Sequence, residues 1–187
     1  MNQRFCFHAL APAGLTLIER LPIADERGFL ERLFCAETLT AIGLRKPIMQ
    51  MNRTLTRRKG TVRGMHFQSP PHAEVKIVSC LRGEVFDVAV DLRHGSPTFL
   101  QWHGEVLSGG NSRMLYIPEG FAHGFQTLVD DCEMLYLHTA PYVAAAEGGL
   151  AHTEPRIGVR WPLPASEMSP RDAAHLPLSP DYAGIQI

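Results

Sequence analysis

Arg63-Gly-Met-His-Phe-Gln-Ser-Pro-Pro-His-Ala-Glu-Val-Lys-Ile-Val-Ser-Cys-Leu-Arg-Gly-Glu-Val-Phe-Asp-Val-Ala-Val-Asp-Leu92 is the stretch that decides the fold of this 187-residue chain. Two alternating runs flank Gly83-Glu84, and glycine at the first central position of a two-residue turn predicts a tight type II′ hairpin. In that register Arg82 faces Val85, Cys80 faces Asp87, Val78 faces Ala89 and Lys76 faces Asp91. Side chains alternate along a strand, so the pairing sorts the residues onto two faces. One face carries Val75, Ile77, Leu81, Phe86, Val88, Val90 and Leu92 and reads as core. The other carries Lys76, Cys80, Arg82, Asp87 and Asp91. As a wet surface, that second face holds a Lys76–Asp91 pair worth under about 1 kcal/mol. As the inside of an open barrel, it lines a polar pocket with His66 and Gln68 at the mouth.

The flanking segments favour the barrel. Leu15 to Leu21 reads as a strand, Asp25 to Gly28 as a turn, and Phe29 to Phe34 as a second strand. Ala36 to Ile42 reads as a short helix ended by Gly43. From Ile48 to Thr54, Gln50, Asn52 and Thr54 fall on one face and Met49 and Met51 on the other. Turns follow at Ser69-Pro70-Pro71, His94 to Pro97 and Ser108 to Asn111. Pro118 to Gln126 forms a glycine-shaped loop that delivers His123 to a strand. Glu133 to Thr139 places Met134, Tyr136 and His138 on one side, and a loop-rich tail follows Pro141. Many short strands punctuated by Gly and Pro predict an all-β chain, with one domain over residues 1–187.

Composition narrows the class. The chain is 45% hydrophobic and 20% charged with a net charge of −1, which gives no basic stripe for nucleic acid. No apolar run reaches the length of a membrane span, and residues 1–7 do not read as a signal peptide, so a cytoplasmic protein is expected. Four cysteines at 6, 35, 80 and 132 lack metal-binding or disulfide spacing.

Arg27-Gly-Phe29, Gln50-Met-Asn52, Arg63-Gly-Met-His66-Phe-Gln68, Lys76, Gly83 to Asp91, Gly95-Ser-Pro-Thr98, Ile117 to Phe125 and Tyr136 occur in one order along the chain. On these pieces, from about Leu15 to Asp172, the sequence resembles the cupin-fold epimerases of nucleotide-linked 4-keto-6-deoxy sugars, the dTDP-4-dehydrorhamnose 3,5-epimerase family. The resemblance implies a cupin-type jelly-roll barrel with N-terminal strands, a homodimer, and an active site inside each barrel. It implies epimerisation at C3, C5 or both of a dTDP- or CDP-linked sugar. A ketone at C4 acidifies the neighbouring C–H bonds, so the route needs a base, an acid on the opposite face and a donor at the carbonyl oxygen. The substrate supplies its own electron sink, and no metal or cofactor is expected.

By that resemblance His66 is the base and Asp172, in Ser169-Pro-Arg-Asp172, its orienting carboxylate. Lys76 is the cation at the C4 oxygen, Asp87 its anchor, and Tyr136 the acid. Arg27, Arg63, Gln50 and Asn52 fall to the nucleotide diphosphate, and His123 to the carbonyl end. Phe29, Glu31, Gln68 and Tyr142 complete the expected substrate-binding set. His8, His72, His94, His103, His152 and His175 read as solvent-exposed spectators, and His138 is left out of the site.

The pattern departs from the family at several positions. Glu74 stands where a glutamine is usual, Ser169-Pro-Arg replaces a commoner Ser-Glu-Lys, and Pro141 replaces an aromatic. Three rivals carry different signatures. A metal-dependent cupin needs a His-x-His pair, where this chain has His66-Phe-Gln68. A non-catalytic sugar-binding barrel has no need of His66, Lys76 and Tyr136 together. A 3,4-ketoisomerase lacks the Gly83–Asp91 run and the tyrosine.

Overall fold

The structure is a computed structural model describing residues 3–187. Its strands in chain order are β1 (Phe5–Ala9), β2 (Thr16–Arg20), β3 (Ile23–Asp25), β4 (Gly28–Leu30), β5 (Gln50–Thr56), β6 (Val62–Gln68) and β7 (Lys76–Arg82). They continue with β8 (Glu84–Asp91), β9 (Trp102–Ser108), β10 (Arg113–Ile117), β11 (Phe121–Thr127), β12 (Cys132–His138) and β13 (Glu147–Gly149). Two one-turn helices, α1 (Ala36–Leu39) and α2 (Pro170–Ala173), accompany them. A six-stranded sheet runs β1-β2-β10-β7-β12-β5 and a five-stranded sheet runs β13-β6-β11-β8-β9, with β3–β4 as a separate hairpin arm. Both large sheets are antiparallel throughout, as expected of a jelly-roll barrel.

The expected Gly83-Glu84 hairpin does not form. β7 pairs with β10 and β12, while β8 pairs with β9 and β11, so the chain crosses from one sheet to the other at Gly83. Lys76 lies opposite Ile117 and His138, and Asp91 instead binds Arg93, Ser96 and Thr98. Gly83 sits at φ 78°, and a Cβ there would come within 2.8 Å of Cys132 Sγ. A corner this tight needs glycine, and from sequence it looks the same as a two-residue turn.

Parity within each strand survives the lost pairing, because alternation does not depend on the partner, but the face read as core turns outward, with Leu81 exposed, and the other face enters the barrel. Val78, Cys80, Val85 and Ala89 point between the sheets, into a core with Leu15, Leu17, Leu107, Leu115, Phe125 and Met134. Ile77 and Val75 point outward under Leu39, Leu44 and Phe5, and Val88, Val90 and Leu92 outward under the C-terminal tail. Both faces of β7 and β8 are therefore covered, and each fully buried large apolar side chain contributes about 1.5–3 kcal/mol.

Other elements are shorter or newly seen. The strand expected over 29–34 ends at Leu30. α1 runs on as a 3-10 turn over Thr40–Ile42 and stops at Gly43, whose φ of 97° is the left-handed cap that the sequence signals. β1, β13 and α2 lie in segments that read as loops or tail. All four cysteines are free thiols. Among the described residues no helix is long and apolar enough to cross a membrane.

Candidate active site

One end of the space between the sheets is packed with apolar side chains. The other opens as a cavity of about 670 Å³. Strand alternation fills its walls: Gln50, Asn52 and Thr54 from β5, His66 and Gln68 from β6, Tyr136 and His138 from β12.

On the five-stranded side, His66 Nε2 lies 2.8 Å from Asp172 Oδ1. Ser169 begins α2 as an N-cap, its hydroxyl accepting from the Asp172 amide at 3.1 Å, with Pro170 at the first helical position. The amide of Gly64 donates to the other Asp172 oxygen at 3.1 Å, so the carboxylate is held from two sides. Gly64 is fixed by contact, since a Cβ there would stand 2.5 Å from Gly124 Cα on β11. Burial pulls the His66 pKa below its ordinary value, and the Asp172 bond and charge recover only part of the shift. Asp172 itself stays below the usual carboxylate range: burial pushes it up, but the Gly64 amide and His66 outweigh that.

On the six-stranded side, Lys76 is 7% exposed and donates from Nζ to the His66 carbonyl at 3.2 Å. Its nearest carboxylate is Glu74, Oε1 at 3.4 Å. Burial draws the Lys76 pKa down, against the pull of Glu74. Tyr136 faces the cavity with its hydroxyl 3.5 Å from Thr54 Oγ1, and burial pushes the phenol well above its ordinary pKa.

Asp87 corrects an expectation. It does not anchor Lys76; both its oxygens lie 2.9–3.0 Å from His123 Nε2. The pair is almost wholly buried, and burial raises the Asp87 pKa despite the His123 contact. His123 sits opposite His66 in the β11–β6 register and edge-on to Tyr136, with ring centroids 6.1 Å apart.

Of the expected binding residues, Gln50, Asn52, Arg63, Gln68, His123 and Tyr142 line the cavity. Gln68 is committed elsewhere: its amide donates to His72 and Pro141 carbonyls and accepts from the Val143 amide, clamping the 141–143 loop. Arg63 donates to Thr56 Oγ1 at 2.9 Å, and among the described residues no carboxylate stands within ion-pair reach of it. Arg27, Phe29 and Glu31 are not brought to this cavity. Arg27 pairs with Asp25 on the exposed arm, and Phe29 is 71% exposed. Glu31 instead meets the buried Arg20 at 3.3 Å and pins the arm to β2.

Several lining residues were not in the expected set. His138 shares the parity of Tyr136, which is the signal that could have found it; its Nδ1 lies 2.9 Å from Glu74 Oε2. Arg171 follows Pro170 in the motif that supplies Asp172, and it donates to Glu147 on β13 at 2.9 and 3.1 Å. Glu147 also accepts from the Tyr142 hydroxyl at 2.9 Å. No periodic pattern in the tail marks Glu147. His175 is not a free-standing spectator, since its ring lies 6.0 Å from that of His66.

His66, Asp172 and His175 offer three metal-ligating atoms within 4.8 Å of one another. The Arg171 guanidinium, 3.2 Å from His66 Nε2, puts a positive charge beside that cluster, which disfavours a cation there. The arrangement suits proton transfer better. It sets a carboxylate-oriented imidazole on one sheet against a phenol and an ammonium on the other.

Comparison with known proteins adds an independent line. Residues 10–180 match the family model described as dTDP-4-dehydrorhamnose 3,5-epimerase. A dTDP-4-dehydrorhamnose 3,5-epimerase of Sinorhizobium fredii is 39% identical over 185 residues, 96% of this chain and 95% of that protein. A dTDP-4-dehydrorhamnose 3-epimerase of Streptomyces niveus is 40% identical over 150 residues, 80% of this chain and 72% of that one. Among solved structures, a dTDP-6-deoxy-D-glucose-3,5-epimerase of Legionella pneumophila in complex with dTDP-4-keto-L-rhamnose superposes with a TM-score of 0.87. It is 40% identical and covers 91% of each chain.

Proposed function

The chain belongs to the dTDP-4-dehydrorhamnose 3,5-epimerase family of carbohydrate isomerases, and from that premise we propose that its cavity epimerises a dTDP-linked 4-keto-6-deoxyhexose at C3 and C5 through an enolate. Residues 1–187 then act as one epimerase domain in deoxysugar biosynthesis. The observation that carries the reading is the placement of His66 on β6 of one sheet and Tyr136 on β12 of the other, with a cavity of about 670 Å³ between them. A sugar ring lying in that gap offers one face to each.

His66 takes the proton. Its Nε2–H donates to Asp172, which leaves the Nδ1 lone pair as the basic site. The electron pair moves through C3 or C5 onto the C4 oxygen, where the Lys76 ammonium stabilises the negative charge. Tyr136 returns a proton to the opposite face. Repeating the cycle at the second carbon needs the imidazole to shed its proton to water and the Tyr136 phenolate to take one up from water in the open cavity, and the partly exposed His66 edge allows the first of these. Arg63 is suited to a diphosphate because its guanidinium has no carboxylate partner among the described residues and presents a planar fork.

The family includes 3-epimerases at the same identity, so a one-carbon reaction is the alternative. Incubating dTDP-4-keto-6-deoxyglucose with the enzyme in deuterated water and locating deuterium by NMR separates the two. Label at C3 and C5 supports the proposal, label at one carbon selects the alternative, and no label at either refutes both.

A homodimer accounts for Arg27 and Phe29. β5 is an edge strand beside the cavity with Met51 and Leu55 exposed on it and Met49 just before it, and the β3–β4 arm exposes Ile23, Phe29 and Leu30. Laying the arm of one copy against β5 of another covers both apolar patches and carries Arg27 toward the partner's cavity. A monomer of full activity in analytical ultracentrifugation would end that reading.

A further inference from the structure

Lys76 lacks the anchor that the sequence suggested, and something else must hold a buried ammonium in place. We infer that Glu74 and His138 form a positioning pair that aims Lys76 at the substrate carbonyl oxygen and braces Tyr136 against the same wall. The inference rests on the enolate reading above and adds two residues to it.

The geometry is a continuous chain of contacts. Lys76 Nζ stands 3.4 Å from Glu74 Oε1, and the other oxygen of Glu74 lies 2.9 Å from His138 Nδ1. The fourth member of the chain is Asn52, whose side-chain nitrogen is 3.5 Å from His138 Nε2. A carboxylate at Nδ1 fixes the proton there, so Nε2 is left to accept from Asn52. His138 also stacks on Tyr136, ring centroids 6.1 Å apart and planes 19° from parallel. One imidazole thus touches the group that holds the lysine and the ring that returns the proton.

In this chain, where Glu74 replaces the usual glutamine, the environment favours such a device. Glu74 and Lys76 are each over nine-tenths buried at the side chain, and a buried charge persists only with a close partner. Burial pushes the Glu74 carboxyl up, but His138 and Lys76 together hold it below its ordinary range, so it stays an anion. The other charged groups facing Lys76 are Glu147 on β13, Asp87 on β8 and His66 on β6, besides His138 on β12. Asp87 is engaged by His123, and Glu147 by Arg171 and Tyr142. Glu74 is the one carboxylate within 4.0 Å of Nζ among the described residues.

The test uses full-length Glu74→Gln, His138→Ala and the double variant. Each is first checked for a native melting curve and for dTDP affinity within about twofold of wild type. Glu74→Gln keeps the shape, removes the charge and installs the residue usual in the family; with His138 still beside it, it should lower kcat about 10-fold with little change in KM, the signature of an interaction realised in the transition state. Lys76 must be protonated to act and loses its nearest anion in that variant. The alkaline limb of its pH–rate profile should therefore move to lower pH. His138→Ala should cost about fivefold in kcat, and the double variant should be no worse than Glu74→Gln by more than about twofold, because the two residues work as a unit. A Glu74→Gln enzyme with wild-type kcat and an unmoved alkaline limb overturns the pair, as does a double variant whose loss is the product of the singles. If Glu74→Gln does not fold, His138→Ala decides: wild-type kcat there overturns the inference as well. Absence of wild-type turnover on the 4-keto sugar is a different failure, that of the reaction itself.

Discussion

The two walls of the cavity do opposite work with the same physical cause. On the five-stranded wall, burial lowers the pKa of His66; on the six-stranded wall, burial raises that of Tyr136. Removing water disfavours whichever form is charged, and for imidazole that is the acid while for phenol it is the base. Desolvation therefore leaves a neutral imidazole ready to accept a proton and a neutral phenol ready to give one. One dry pocket makes a base on one side and an acid on the other without separate electrostatic machinery for each. Partners then differ in strength: His66 has a 2.8 Å carboxylate contact, and the Tyr136 hydroxyl has one long contact, to Thr54.

The base wall should be the more sensitive to removal. His66→Asn keeps a polar side chain but no basic nitrogen, and kcat should fall about 10³-fold or more, at the upper range for loss of a general base. Deuterium uptake from solvent should vanish with it, because no proton leaves carbon. Tyr136→Phe tests the other wall and should behave differently. Turnover should fall about 10²-fold, while His66 still removes protons and returns solvent deuterium to the original face. Exchange without inversion in Tyr136→Phe, measured by NMR, is the pattern that distinguishes the two walls. Equal loss of exchange in both variants would mean that the acid and base assignments are not separable.

Asp172→Asn sharpens the comparison through pH. The base acts unprotonated, so activity falls as pH drops through the His66 pKa, and the wild-type acid limb should lie below the ordinary histidine value near 6.5. Asp172 raises that pKa by its bond and charge, so removing it should move the limb to still lower pH. At the same time kcat at the optimum should fall about 10- to 100-fold, because the imidazole loses its fixed tautomer and orientation. A less active enzyme with a more acid-tolerant profile is an unusual combination, and a limb that moves to higher pH would contradict the assigned role.

Much of this architecture is legible in the chain itself, and what escapes does so for identifiable reasons. Parity found the cavity face of β5 and β12 because alternation is a property of one strand. Pairing was misread at Gly83 because a glycine at positive φ serves a hairpin and a sheet-to-sheet corner equally well. Asp87 was matched to Lys76 on the strength of that hairpin, and its true partner His123 comes from a strand 36 residues away. Asp172 was placed by the resemblance, and the structure adds the Ser169 cap that holds it; Glu74 was noted only as a departure from the family, and Glu147 carries no periodic mark and became visible only in three dimensions. Arg27 and Phe29 matched a motif, yet a motif gives no information about where the fold carries its side chains.

The weakest contact on the acid wall gives the finest test. Thr54 Oγ1 is 3.5 Å from the Tyr136 hydroxyl, at the limit of a hydrogen bond. Thr54→Val preserves the branched shape on β5 and deletes only that oxygen. If burial alone keeps the phenol protonated, its loss should change kcat by no more than about twofold, well under the 1.4 kcal/mol that a tenfold change represents. The hydroxyl also lowers the Tyr136 pKa slightly against the larger effect of burial, so Thr54→Val should push the phenol higher still and leave the enzyme active to at least the same alkaline pH. A tenfold loss would mean instead that Thr54 orients the phenol or relays its proton. The acid wall would then depend on a specific partner as the base wall does, and the contrast between desolvation on one side and a carboxylate on the other would have to be abandoned.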